Sequence, residues 1–242
     1  MLENIFFKSL KNWDNKNWLS SSGYIKLFNI FLIKQAKLTK TSKIIDVGCG
    51  RGKILGHLAS KLKLKAKPLG IDLERHKNKD RRINFKKIDA IKFFRHNNTI
   101  FDLILIKQTL HFFELSEIKQ LLNLCKNRLN HNGKIVILTL DPYQNEIPTF
   151  SLMAKHLRIS HEKDKKMIKF ISKIYSISKI KKFTFNVKIS KKKYLEMIKK
   201  RYISTLLKFS PKEILKGTNE INLKYKKILK FKDKLQCIII RK

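Results

Sequence analysis

The stretch KIIDVGCGRGKILGHLA, Lys43 to Ala59, constrains the chain more than any other. Ile44, Ile45 and Val47 form a short β-branched run, and Gly48, Cys49, Gly50, Arg51 and Gly52 interrupt it. Apolar residues then return at Ile54, Leu55, Leu58 and Ala59 with helical spacing. The pattern predicts strand, glycine turn, helix. A glycine turn lets the main chain approach a ligand without a Cβ in the way, and the helix that follows offers unpaired N–H groups and a positive dipole end. Three alternate glycines after an acidic residue exceed what a plain strand-to-helix connection needs, so the stretch reads as a cradle for a nucleotide-like ligand.

The detail selects among such ligands. A dinucleotide fingerprint wants glycine at position 53, where the helix packs closely on the strand, and this chain has Lys53. The run is instead Asp46, Gly48, Gly50, Gly52, and DVGCGRG resembles the first motif of class I S-adenosylmethionine-dependent methyltransferases. The resemblance implies that the turn lies against the methionine end of S-adenosyl-L-methionine and that Asp46 helps to orient that end.

Further motifs follow in family order. Leu69, Gly70 and Ile71 read as a second buried strand ending at Asp72, about 20 residues past the turn, where such units place a carboxylate on ribose hydroxyls. Asp72 is the ribose candidate and Glu74 the fallback. The segment His76 to Arg82 reads as a solvated basic turn. Ile83 to Ile88 is a third strand, with Asp89 and Ala90 at its end. The resemblance puts Asp89 on the exocyclic amine of adenine with the Ala90 backbone nearby, while Asp89 also suits the N-cap of a helix beginning at Ala90.

Phe101 onward is a nearly continuous apolar run, as a central parallel strand buried on both faces should be, and it ends at Lys107 and Gln108 on the edge where open α/β sheets bind ligands. This resembles the family's fourth motif but lacks the Asn-Pro-Pro-Tyr type of tetrapeptide that grips a flipped base, which disfavours a nucleic-acid substrate. Leu110, His111 and Phe112 resemble the corresponding loop of the small-molecule, type 11-like enzymes. His111 is either a general base or a residue that shapes the cofactor pocket.

The rest of the chain is read more loosely. Ser20 to Ser22 cap a helix through Tyr24 to Leu32; Trp18 and Tyr24 are candidates for the acceptor pocket as well as for the core. Leu115 to Leu129 reads as a helix capped by Ser116. Asn132 and Gly133 then turn into a fifth strand, KIVILTL, which Asp141 and Pro142 end so that Tyr143 enters a loop over the site. Residues from Glu146 to Ser178 read as a helical lid whose His156, His161 and Glu162 lack metal-site spacing and read as scattered polar residues. A strand at Lys181 to Ile189 and a last one at KLQCIIIRK flank helices at Lys191 to Lys208 and Pro211 to Lys226, the second capped by Ser210. By resemblance Arg201, Tyr202 and Ser204 are acceptor-binding candidates.

The expected fold is a single α/β, Rossmann-like seven-stranded methyltransferase sheet with helices on both faces and an antiparallel last strand. Residues 1–40 form an N-terminal helical cover, 41–145 the cofactor-binding core, 146–180 the lid, and 181–242 the C-terminal strands and helices. A chain of 242 residues can bury about 70–75% of its unfolded surface, enough for one sizeable core. The composition, 56 Lys+Arg against 18 Asp+Glu and a formal charge of +38, would attract nucleic acid or an anionic membrane surface, but lysine is abundant in every segment and marks no dedicated face. Cys49, Cys125 and Cys237 are widely separated, and no secretory leader or apolar run of ~18 residues is present, so a reduced, cytoplasmic setting is expected. The expected activity is methyl transfer to a small-molecule acceptor without metal. A nucleic-acid methyltransferase and a non-catalytic cofactor binder are the alternatives; neither the acceptor atom nor the oligomeric state follows from the sequence.

Overall fold

The computed structural model describes residues 17–175, 177 and 180–242; the first 16 residues, with Trp13 and most of the first half of the expected N-terminal cover, lie outside the described residues. The strands are β1 (Ile44–Val47), β2 (Leu69–Asp72), β3 (Asn84–Lys87), β4 (Phe101–Lys107), β5 (Leu129–Leu140), β6 (Lys181–Ser190) and β7 (Ile228–Arg241). They form one sheet in the order β3-β2-β1-β4-β5-β7-β6. The pairs from β3 to β5 are parallel, and β7 runs antiparallel to both β5 and β6. After β1 the chain builds outward to β2 and β3, then returns to β4 on the other side of β1. The carboxyl ends of β1 and β4 therefore flank the point where strand order reverses, and that is where open α/β sheets leave a crevice.

The helices are α1 (Ser22–Ala36), α2 (Lys53–Leu62), α3 (Ala90–His96), α4 (Leu115–Asn127), α5 (Ser151–Ile174), α6 (Lys191–Lys199) and α7 (Pro211–Lys224). Successive strand residues point to opposite faces, and both faces of the central strands are covered, so the apolar runs need no polar alternation. Ile45, Val47, Ile104 and Ile106 meet α3, α4 and the C-terminal half of α5 through Phe94, Leu121 and Ile168. Ile44, Leu103 and Leu105 meet α1 and α2 through Phe28, Leu32, Leu55 and Leu58 on the other face. A third cluster joins the N-terminal half of α5 to α6, α7 and the ends of β6 and β7, with Met153, Tyr194 and Ile221 at its centre.

Several local expectations are corrected. Helix α4 is capped by Glu114 in a reciprocal box with Glu117, not by Ser116, because Glu117 falls where its carboxylate reaches back to the Glu114 N–H at 2.9 Å. Strand β5 starts at Leu129, and the Asn132–Gly133 turn is an irregularity inside it, between the pairs Phe101–Leu129 and Leu103–Lys134. The helix expected through Lys208 stops at Lys199. Arg201 is left-handed (φ 52°), Tyr202 N–H reaches back to Met197 O at 3.1 Å, and a short 3-10 helix follows at Ser204–Lys208. Within His76 to Arg82, His76 and Asp80 are buried rather than solvated, and Asp80 receives Arg82 Nε at 2.8 Å and Nη2 at 2.6 Å.

The start of α7 is the clearest local device. Ser210 accepts from Glu213 N–H, Glu213 accepts from Ser210 N–H at 2.7 Å, and Pro211 occupies the first turn. Ser210→Ala should cost about 1 kcal/mol of stability, read as a lowered midpoint in urea unfolding with an unchanged slope.

Candidate active site

The crevice is a cavity of about 660 Å³, within the size range of small-molecule sites. Its floor is built by the glycine turn. Gly48, Gly50 and Gly52 all have positive φ (73°, 57° and 69°), which side-chain-bearing residues adopt only at a cost. A Cβ on Gly48 would stand 2.3 Å from Thr109 Oγ1, and one on Gly52 would stand 2.1 Å from the Ile83 side chain. The turn is tied to β2: Gly48 and Cys49 N–H both donate to Ile71 O, at 2.9 and 3.1 Å, and Gly50 N–H donates to Asp72 Oδ2 at 2.8 Å.

Asp72 ends β2 and also accepts from Glu74 N–H at 3.0 Å, with His76 Nε2 3.3 Å away. A carboxylate has about four lone-pair sites, so these contacts leave capacity for a diol. Asp46 ends the polar part of β1 and is buried. Burial pushes its carboxyl up to about 8; Lys107 works against that shift and the Asp72 charge adds to it. Asp89 caps α3, accepting from Lys92 N–H at 2.8 Å, and it lines the cavity with Ala90. Across the crevice, Lys107 Nζ donates to Gln108 Oε1 at 2.9 Å. Gln108 is held at φ 52° by its N–H to Leu138 O at 2.7 Å, an uncommon conformation for a residue with a side chain. Asp46, Gly48, Gly50, Asp72, Asp89, Ala90, Lys107, Gln108, Glu74 and His111, each anticipated from sequence, thus converge on one cavity.

The His111 ring lies against Phe112, with centroids 4.0 Å apart. His111 counts as exposed over the whole residue, yet the protein packed around its imidazole pushes the ring down to about 4, which leaves it uncharged at neutral pH.

The acceptor candidates divide. Trp18, Tyr202 and Ser204 line the cavity; Tyr24, Tyr143 and Arg201 do not. Tyr24 is fully buried, stacked on Phe28 at 5.8 Å, so it belongs to the core. Tyr143 is 61% exposed and turned outward beneath Lys165, because Asp141 accepts from its N–H and fixes the turn. Arg201 donates to Phe209 O at 2.8 Å and terminates α6, which swings Tyr202 inward to meet the Tyr194 hydroxyl at 2.7 Å. Trp18, in a short 3-10 helix (Trp18–Ser20) ahead of α1, donates from Nε1 to Asp233 Oδ2 at 2.9 Å and ties that segment to β7.

Sequence reasoning missed Thr109, Asp233, His161 and Asp164. Thr109 lies under Gly48, its hydroxyl bonding Val47 O at 3.2 Å and Lys107 O at 3.0 Å. His161, expected to be a scattered polar residue, and Asp164 are buried on α5 and line the cavity. The available signal was their spacing. Leu157, His161, Asp164 and Ile168 share one helix face, so two polar residues interrupt an otherwise apolar stripe. No cluster of His, Cys, Asp and Glu among the described residues could hold a metal ion, and among these residues no disulfide involves Cys49, Cys125 or Cys237. No helix among the described residues is long and apolar enough to cross a membrane.

The family described as "Methyltransferase domain" matches residues 38–202, more than half of the chain. The chain belongs to that family, and its seven-stranded fold is the class I, S-adenosylmethionine-dependent kind. Among solved structures it is similar to a protein described as a methyltransferase from an antibiotic biosynthesis pathway of Anabaena variabilis, at 14% identity and a TM-score of 0.62, covering 87% of this chain and 96% of the other. It is also similar to a SAM-dependent methyltransferase from Archaeoglobus fulgidus (19% identity, TM-score 0.51, coverage 90% and 94%). A third is the plantazolicin methyltransferase BpumL, solved with a monoazolic desmethylPZN analog and SAH (19% identity, TM-score 0.51, coverage 97% and 89%). No curated protein sequence matches the chain significantly.

The buried Asp46 carries a pH signature. The folded state binds this proton more tightly than the unfolded chain, where the ordinary value is 3.8. Its stabilising contribution is therefore whole below about pH 4 and is lost as pH rises through about 8. In thermal melts without cofactor, Asp46→Asn should come closest to the wild type near pH 4 and melt progressively higher than it as pH rises to 9.

Proposed function

We propose that this cavity binds S-adenosyl-L-methionine across the ends of β1, β2 and β3, and that the protein transfers its methyl group to a small molecule held under α5. The observation that carries the reading is the convergence of Asp46, the Gly48–Gly52 turn, Asp72 and Asp89 on one side of a single cavity. The residues fit that ligand. The turn has no side chain where the methionine end would lie, and buried Asp46 has no hydrogen bond among the described residues, so an ammonium arriving there would recover its charge. Asp72 retains acceptor sites for a ribose, and Asp89 keeps one carboxylate oxygen beyond the one that caps α3. When bound, this group supplies an electrophilic methyl on a sulfonium. The protein's part is to align a nucleophile with it and to exclude water, which lowers the barrier by proximity and orientation. Neutral His111 stands at the cavity as a hydrogen-bond partner for the acceptor.

The lining also favours a small-molecule acceptor over a nucleic acid. Among the described residues, eight carboxyl side chains line the cavity against two lysines, Lys53 and Lys107, although the whole chain has 56 basic residues and 18 acidic ones. A phosphate backbone entering there would meet repulsion rather than counter-charge. The lysine excess lies outside the site.

Calorimetric titration with S-adenosyl-L-methionine and, in parallel, NAD tests the cofactor. The wild type should bind the former and not the latter. Asp89→Asn keeps a good helix cap but presents an amide N–H₂ toward adenine, so it should weaken binding by about tenfold with little change in melting temperature. A folded wild type that prefers NAD, or binds neither, overturns the reading.

A further inference from the structure

Helix α5 is anchored at both ends by apolar side chains: Met153 and Leu157 in the C-terminal cluster, and Met167, Ile168 and Ile171 against the sheet. Between these anchors, on the same face, stand His161 and Asp164. They are 9% and 6% exposed, and both line the cavity. A core would want leucine at both positions, because a buried polar group without a partner costs free energy. Asp164 has no hydrogen bond or ion pair among the described residues, and burial raises its carboxyl to about 7.

The tautomer of His161 follows from its neighbour. Asn145 Oδ1 accepts from Ile147 N–H at 2.8 Å, which fixes the amide orientation and turns its N–H₂ toward His161 Nε2 at 2.9 Å. Nε2 therefore accepts, and Nδ1 carries the proton. That Nδ1–H is buried and has no hydrogen-bond partner among the described residues. Burial and Lys165 lower the imidazole pKa, Asp141 and Glu162 act the other way, and the net shift is downward, so the ring is neutral. The face thus presents one unused donor and one unused carboxylate a single turn apart, roughly 5–6 Å between Cβ atoms. Among the described residues no lysine or arginine lines this end of the cavity: Lys53 is paired with Asp80 at 3.7 Å, and Lys107 lies at the end of β4 beside Gln108.

We infer that His161 and Asp164 are the acceptor-recognition site, and that the acceptor is a protonated amine with an adjacent carbonyl oxygen. Asp164 pairs with the ammonium and His161 Nδ1–H donates to the oxygen. The inference rests on the methyltransferase reading above and deepens it. Before transfer the ammonium gives one N–H proton to the Asp164 carboxylate, forming an O–H bond and leaving a nitrogen lone pair. That pair forms the N–C bond to the methyl as the donor's S–C bond breaks, the sulfonium becomes a neutral sulfide, and the positive charge passes to nitrogen.

The test uses the full chain saturated with S-adenosylhomocysteine. Alaninamide, phenylalaninamide and tryptophanamide are titrated, each against its 2-hydroxy counterpart, which keeps the carbonyl and lacks the ammonium. At least one amine should bind tenfold or more tighter than its hydroxy partner. Asp164→Asn should remove that preference while leaving the affinity for S-adenosylhomocysteine unchanged, and His161→Phe should weaken both members of the pair equally. Asp164→Leu, which completes the apolar stripe, should raise the melting temperature; a structural aspartate would give the opposite. The inference is overturned if no amine outbinds its hydroxy counterpart, if Asp164→Asn retains the preference, or if Asp164→Leu melts lower. Failure of the wild type to bind S-adenosylhomocysteine would instead overturn the cofactor reading.

Discussion

The contact on which the site depends is the hydrogen bond from Gly50 N–H to Asp72 Oδ2. It joins the turn after β1 to the end of the neighbouring strand, and the same carboxylate holds Glu74 N–H. One half-buried carboxyl group therefore sets the shape of two loops that face each other across a crevice. This is possible because β1 and β2 are parallel and in register, Val47 opposite Ile71, so both chains leave the sheet at the same edge. Thr109 completes the arrangement from β4, filling the space that a side chain at position 48 would occupy. The turn is held by backbone and side-chain contacts on both flanks, and that pre-organisation reduces the ordering cost of binding.

Electrostatics divide the molecule. A chain with a formal charge of +38 encloses a cavity whose lining, among the described residues, is mostly acidic, and the interior dielectric makes the few internal charges count for more than the many outside. Asp46 illustrates the point. In water a carboxyl beside a lysine would ionise readily; buried between Lys107 and Asp72 it resists, and a cationic group delivered by a ligand would tip it. Binding and ionisation at this position are coupled, as linkage requires.

How much of this was legible in the sequence depends on how local each feature is. The strand, glycine turn and helix from Lys43 to Ala59 are specified by contiguous residues, and so is the Ser210–Pro211–Glu213 cap; both appear as read. Where two local signals compete, the reading failed. Ser116 is a good cap residue, yet Glu114 takes the position because Glu117 reciprocates. The run through Arg201 looks helical, yet a left-handed residue ends the helix there, and the guanidinium that resembled an acceptor ligand is spent on Phe209 O. Tyr24 could not be assigned to core or pocket from its helix alone, because only the packing of β6 against α1 puts Phe183 and Phe185 at its ring, 5.5 and 5.2 Å away.

The least legible residues are those that tertiary structure brings in from afar. Asp233 is one alternate position in a long terminal strand until Trp18, 215 residues earlier, places an indole N–H 2.9 Å from it. His161 and Asp164 look like ordinary polar positions of a lysine-rich helix, and their meaning lies in what flanks them on the same face. A helix anchored by apolar residues at both ends has little freedom to rotate its middle outward, so whatever occupies that middle is forced to stay inside. Had those residues been incidental, burial would have selected against them, since each desolvated polar group costs more than a leucine at the same site. That they stand together, a donor and a carboxyl group without partners among the described residues, on the wall of the cavity that also holds the glycine turn and Asp72, is the observation on which the proposal of acceptor recognition rests.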